Sequence, residues 1–290
     1  MTPLSECVRL ACRWEARARK IGNVHPGARF ANTTVEDFYR SADAIAPVFV
    51  DAATQPVGVT IRRAVEATQA AVGQNTNLGI ILLLAPLAAV PRAVPLYEGI
   101  KALRTKVEDA RAVYAAIRLA NPGGLNDAAE QDVRDEPTVT LHEAMALAAD
   151  RDSVARQYAV DFDDVVSLGT ATLLQGFRTH NCVEAAVIEC QLAFLANWPD
   201  SLILRKCGDE VALRLQACVK TLRGLLRGIG TPAGRTAGRE LDAYLRRDGH
   251  RRNPGTTADL VTACLFVALR EGILKPTDPF RWHTDEWLPL

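Results

Sequence analysis

Five short breaks in this chain carry groups that could hold an anion. They read Lys20-Ile21-Gly22-Asn23-Val24-His25, Asn75-Thr76-Asn77-Leu78-Gly79, Asn121-Pro122-Gly123-Gly124, Asp200 to Gly208 (DSLILRKCG) and Asn253-Pro254-Gly255-Thr256-Thr257. Four of them set glycine beside Asn, His or Lys. The other pairs an acid with Arg205-Lys206 and glycine. A loop that opens a helix presents free backbone N–H groups, and glycine lets an anion come close to them. Lys20, Arg205 and Lys206 would add cationic charge, which suits a phosphate. Turn chemistry favours the same residue types, so spacing alone leaves both readings open.

The segments between these breaks must position them, and their periodicity is helical. Apolar residues from Pro3 to Arg19 fall near one face. A second helix, capped by Thr33 or Thr34, runs to about Val50, and a third covers Val57 to Val72. Leu78 to Val90 reads as a buried helix interrupted by Pro86, and Tyr97 to Leu119 as one long helix. Thr140 with Glu143 three residues on forms a capping box. Further helices are expected over Arg151 to Gln175, Asn181 to Ala196, Glu210 to Arg227, Gly234 to Arg247 and Thr257 to Glu271. No alternating β-branched strand stands out. The expectation is an all-α fold, a single domain over 1–290 of about ten helices. Its apolar content is Ala, Leu and Val with only 6% aromatics, so helices can approach closely.

Composition excludes several functions. Lys+Arg and Asp+Glu both number 34, so no global field draws the chain to nucleic acid or an anionic membrane. The longest apolar run is too short for a bilayer, which needs about 20 residues. Seven scattered cysteines, an odd count without a CxxC pair, point to reduced thiols. With no export signal at the N-terminus, a cytoplasmic protein is expected. Apolar helices rich in small residues leave a homodimer open.

In combination the breaks resemble the triphosphoribosyl-dephospho-CoA synthase family, which serves prosthetic-group synthesis for citrate lyase and malonate decarboxylase. The family's acid followed by Pro-Lys-Pro-Gly is matched by Glu15, Lys20, Gly22 and Val24, with Arg19 and Ile21 in place of the two prolines. Asn75-Thr76-Asn77-Leu78-Gly79 is similar to its Asn-Thr-x-x-Gly. Asp200 to Gly208 is similar to its Asp-to-Arg-x-Gly segment, and Asn253-Pro254-Gly255 with Ala258-Asp259-Leu260 to its C-terminal motif. The middle of the chain, including Leu141-His142-Glu143-Ala144-Met145, looks more like a divergent archaeal and methylotroph-type branch.

The resemblance implies an all-helical transferase that moves the 5-triphosphoribosyl group of ATP to the 2′-hydroxyl of 3′-dephospho-CoA, or a related nucleotide-like acceptor, and releases adenine. Breaking an N-glycosidic bond builds positive charge at the anomeric carbon, which a carboxylate stabilises. A base must take the hydroxyl proton. The expected catalytic residues are Glu15, His25 and Asp200. The expected phosphate and nucleotide ligands are Lys20, Gly22, Asn23, Asn75, Thr76, Asn77, Gly79, Arg205, Lys206, Gly208, Asn253 and Gly255. Mg²⁺ on the triphosphate is expected on Glu143, Asp150 and Asp152; Glu143 and Asp150 lie two turns apart if one helix continues. The basic run Arg246 to Arg252 could grip acceptor phosphates. Two other readings stay open: a same-fold ATP-dependent enzyme acting on a methanopterin- or methanofuran-type intermediate, and a non-catalytic helical nucleotide-binding protein.

Overall fold

The structure is a computed structural model that describes residues 2–123, 130–284 and 286–289. Gly124, in the third break, lies outside the described residues. The fold is all-α, as expected, with fourteen α-helices among the described residues. In chain order they are α1 (Leu4–Arg17), α2 (Val35–Ile45), α3 (Val57–Val72), α4 (Leu78–Ala89), α5 (Leu96–Ala102), α6 (Val107–Ala120), α7 (Leu141–Ala146), α8 (Ser153–Ala159), α9 (Thr170–His180), α10 (Val183–Asn197), α11 (Ser201–Cys207), α12 (Asp209–Gly224), α13 (Pro232–Leu245) and α14 (Gly255–Arg270). No helix among them is long and apolar enough to cross a membrane.

The count exceeds ten because two expected helices are subdivided and one expected break is itself helical. The long helix over 97–119 is two helices, α5 and α6. The Asp109 carboxylate explains the new start: it accepts the Lys106 N–H at 2.8 Å, as a cap does, and the Gly58 N–H of α3 at 2.8 Å. The segment 151–175 breaks at Asp161 and Phe162, both with positive φ. It resumes through a π-helical turn, Asp164–Gly169, before α9. Asp200 to Gly208 is not a loop. It is the short helix α11, capped by Asp200.

Pro86 was expected to interrupt its helix, yet α4 runs through it. A proline removes the N–H that would bond the carbonyl four residues back. That carbonyl, on Leu82, instead accepts the hydroxyl of buried Tyr158 at 2.7 Å. The lost bond is replaced from α8.

Two apolar clusters make the core, and α10 is the wall between them. Ala186, Val187, Cys190 and Phe194 pack into the larger cluster, with α1, α4 and α14. Ala185, Ile188, Leu192 and Leu195 pack into the smaller one, with α12 and α13. A helix apolar on every side must be buried on every side, and nearly all of α10 is.

The start of α10 also holds a buried ion pair. The Arg19 guanidinium donates to Glu184 at 2.7 and 3.0 Å and to the Trp282 and Leu288 carbonyls, while the Trp287 indole N–H donates to the Arg19 carbonyl. The C-terminal segment is thereby tied to the turn after α1. Removing one partner of a buried pair leaves a charge uncompensated. Glu184→Gln is expected to cost about 3–5 kcal/mol, read by urea unfolding.

Candidate active site

A cavity of about 570 Å³ opens where α1, α4, α6, α7, α8, α11 and α14 meet. All five breaks contribute to its lining. Asn23 comes from the first, Asn75 to Gly79 from the second, Arg205 and Lys206 from the fourth, and Asn253 and Gly255 from the last. Pro122 and Gly123 of the third line it too. Apolar side chains such as Phe30, Phe38, Tyr114 and Met145 complete the wall. Nothing in their spacing sets them apart from ordinary core residues.

The second break is a helix start. Asn75 Oδ1 accepts the Leu78 N–H at 3.1 Å and so caps α4. Thr76 is tied to Ser41 at 2.5 Å. Asn77 Oδ1 accepts the Thr68 hydroxyl at 3.0 Å, which fixes the amide and leaves its buried Nδ2 without a partner among the described residues. A buried donor left unmade is costly, and Asn77 lines the cavity, so this donor is available to a ligand. Gly79 serves a purpose other than the expected phosphate approach. A Cβ there would sit 2.1 Å from Asp259 Oδ2. Glycine at 79 is what lets the Asp259 carboxyl enter.

The first break is arranged differently from the expectation. Lys20 is fully buried and does not line the cavity. Its Nζ pairs with Glu15 Oε1 at 2.9 Å and also donates to the Glu15 carbonyl. Glu15 itself does line the cavity. Burial pushes its carboxyl up, and Lys20 opposes that shift. Lys20 therefore holds a carboxylate rather than a phosphate. The Gly22 N–H is taken by Asp242 at 2.7 Å, and φ of +74° explains the glycine. Asn23 bridges Gln191 and Asn253, each at 2.7 Å.

His25 is buried away from the cavity, and its Nδ1 accepts the Gly27 N–H. Burial first, then the charges of Arg246, Lys20 and Arg19, push its pKa down to about 3. It cannot serve as a base that cycles near neutrality. The unfolded chain, with an ordinary value of 6.5, binds the extra proton between those limits. The neutral imidazole's contribution to stability is thus complete above pH 6.5 and is lost as pH falls toward 3. Between pH 6.5 and 5, wild type is expected to lose up to roughly 1.4 kcal/mol per pH unit more than His25→Asn. Urea midpoints at the two pH values would show it; parallel lines would mean the imidazole is not held neutral.

Asp200 was expected to be catalytic, but both of its oxygens are consumed. Oδ1 accepts the Leu202 and Ile203 N–H groups, and Oδ2 the Thr257 N–H and hydroxyl, all within 3.1 Å. It buckles α11 to α14 and does not line the cavity. Gly208 ends α11 with φ +82° and also lies off the cavity. Gly255 lines it, packed so closely that a Cβ would meet Leu202 at 2.7 Å.

The three expected metal ligands do not converge. Helix α7 stops at Ala146, so Glu143 and Asp150 share no helix face. Glu143 closes the capping box on Thr140, at 2.8 Å, and Asp150 is exposed. Asp152 caps α8 and pairs with Arg205 at 2.6 Å on the cavity wall. No group of three His, Cys, Asp or Glu side chains among the described residues is placed to hold a metal ion. These residues do not fit a preformed Mg²⁺ centre.

One cavity residue was missed. Asp259, in the first turns of α14, lines the cavity and makes no hydrogen bond or ion pair with a described residue. Burial, then the negative charges of Glu15, Asp200 and Asp152, push its carboxyl well up from the ordinary range, with Arg205 opposing. The signal was present, since Ala258-Asp259-Leu260 follows Asn253-Pro254-Gly255, but nothing in the spacing told this aspartate from a solvated one.

Comparison with known proteins gives a family match and a structural match. The family model described as CitG, ATP:dephospho-CoA triphosphoribosyl transferase, matches residues 1–277. A crystal structure provisionally described as a triphosphoribosyl-dephospho-CoA synthase from Archaeoglobus fulgidus superposes with a TM-score of 0.62 at 29% identity, covering 80% of this chain and 98% of that one. No curated protein matches.

Proposed function

Because this chain belongs to the ATP:dephospho-CoA triphosphoribosyl transferase (CitG) family, we propose that its cavity transfers the 5-triphosphoribosyl group of ATP to the 2′-hydroxyl of 3′-dephospho-CoA and releases adenine. The observation that carries this reading is convergence. Breaks up to 230 residues apart in sequence contribute Asn23, Asn77, Arg205 and Asn253 to one cavity.

In this reading Glu15 is the central carboxylate. Burial raises its carboxyl and makes it a stronger base than a solvated glutamate, while the paired Lys20 opposes that rise. Glu15 takes the proton of the attacking hydroxyl and faces the positive charge at the anomeric carbon. Arg205 and Lys206 supply cationic charge to the triphosphate. Asn77 Nδ2 offers a donor to a substrate oxygen or ring nitrogen. Mg²⁺ travels on the phosphate oxygens of the nucleotide, and no protein carboxylate is assigned to it. Neither match names a one-carbon-cofactor acceptor or a non-catalytic binder. All seven cysteines are free, which fits a reducing, cytoplasmic setting, and the reading needs no second copy of the chain.

The test is chromatography of free adenine in mixtures of ATP, Mg²⁺ and 3′-dephospho-CoA. Adenine is expected only when the acceptor is present. Lys206→Ala is expected to raise the KM for ATP about tenfold with a smaller change in kcat, the mark of a ground-state phosphate contact. ATP binding without acceptor-dependent adenine release would overturn the assignment of this acceptor.

A further inference from the structure

Three carboxylates besides Glu15 influence one another at this site, and each has a different local fate. Asp200 is saturated by four donors. Asp152 has Arg205 and two backbone N–H groups of α8. Glu15 has Lys20. Asp259 has none of these among the described residues, yet it is admitted to the cavity by a glycine whose Cβ would collide with it. A solvated surface aspartate needs no such opening, and a structural one would have acquired a partner. What remains is a carboxyl presented to whatever occupies the cavity.

Resting on the transferase reading above, we propose that Asp259 is a catalytic residue that protonates the departing purine. The groups around it favour the acid form. Glu15 and Cys12 face it from α1, Asp152 from the start of α8, and Asp200 and Arg205 from α11. Lys20 is spent on Glu15, and Arg205 on Asp152. Burial and these negative charges therefore raise the Asp259 carboxyl, which favours its acid form. Glu15 has a lysine partner and Asp259 has none among the described residues, and two carboxyl groups in such unlike settings can divide the base and acid roles.

The C1′–N9 bond of ATP breaks and its electron pair goes to the purine. The purine takes the Asp259 proton and leaves as neutral adenine. The acceptor's 2′-oxygen forms the new bond to C1′, and its proton passes to Glu15. Glu15 then gives up one proton to water and Asp259 takes one back, so the enzyme returns to its starting state.

A donor whose base needs no proton separates this role from a structural one. An N7-methylated purine ribonucleoside triphosphate carries a positive charge before cleavage, and its base departs neutral. Asp259→Asn keeps the shape and loses the proton. It is expected to lose about 10²–10⁴ in kcat with ATP and less than about tenfold with the methylated donor. Wild-type kcat with ATP is expected to fall as pH rises and Asp259 ionises, and that limb should be missing with the methylated donor. Calorimetric binding of ATP should stay within a few-fold of wild type. Equal losses on both donors would overturn the acid role, and so would failure of the variant to bind either nucleotide. A wild type that releases no base from either donor would instead overturn the transferase reading on which the proposal stands.

Discussion

Lys20→Met is expected to unfold at markedly lower urea and to lose turnover. The lysine is fully buried, and its ammonium pairs with Glu15 at 2.9 Å. Methionine fills a similar volume but leaves a buried carboxyl without its counter-charge. Breaking such a pair costs about 3–5 kcal/mol, a large share of the stability of an ordinary domain. The double variant Glu15→Gln/Lys20→Met should recover most of that stability, since a neutral amide needs no cation. It should stay inactive, because the proton acceptor is gone. Urea unfolding and adenine release on the two variants separate packing from chemistry. An active double variant would remove Glu15 from the reaction. A Lys20→Met protein as stable as wild type would show that the pair is not buried in the way described.

Gly79→Ala is expected to fold and to lose about a hundredfold in kcat. The added methyl would lie 2.1 Å from Asp259 Oδ2 and 2.6 Å from its Cγ, so the carboxyl must move. A displacement of about 1 Å at a reacting group can cost about 10²-fold. Helix propensity alone argues the other way, since alanine in α4 would favour the helix by about 1 kcal/mol. Gly224→Ala is the matched control. It also lies in a helix, α12, and nothing is within 4 Å of its added methyl. Gly224→Ala should leave adenine release unchanged. If Gly79→Ala does the same, Asp259 is free to sit elsewhere and the tight approach has no functional meaning.

The four-residue rhythm of the chain was enough to read the helices that pack one face against the core, such as α3, whose observed limits match the expected ones. Where tertiary contacts override local rules the reading failed. Pro86 breaks no helix because Tyr158, distant in sequence, bonds the freed Leu82 carbonyl. The segment 97–119 is two helices because Asp109 caps the second and also grips Gly58 of α3. Neither partner is visible to a local window.

The site divides in the same way. Residue types and order in the breaks fixed which segments matter, because phosphate and nucleotide chemistry demands glycine, amide and cation at helix starts. Glu15, Asn23, Asn77, Arg205, Lys206 and Asn253 all reach the cavity. What each polar group does there depends on which partner it meets, and that is a property of the packed chain. Lys20 could have faced a phosphate, but packing α1 against α14 and α10 turned it onto Glu15. Asp200 could have reached substrate, but four donors from α11 and α14 took its lone pairs. Asp259 lines the cavity and makes no hydrogen bond or ion pair with a described residue, which its ordinary setting in the sequence does not announce. A sequence states which groups are available; only the fold decides which of them are already satisfied, because hydrogen bonds and ion pairs are made across space by groups that sequence order does not bring together.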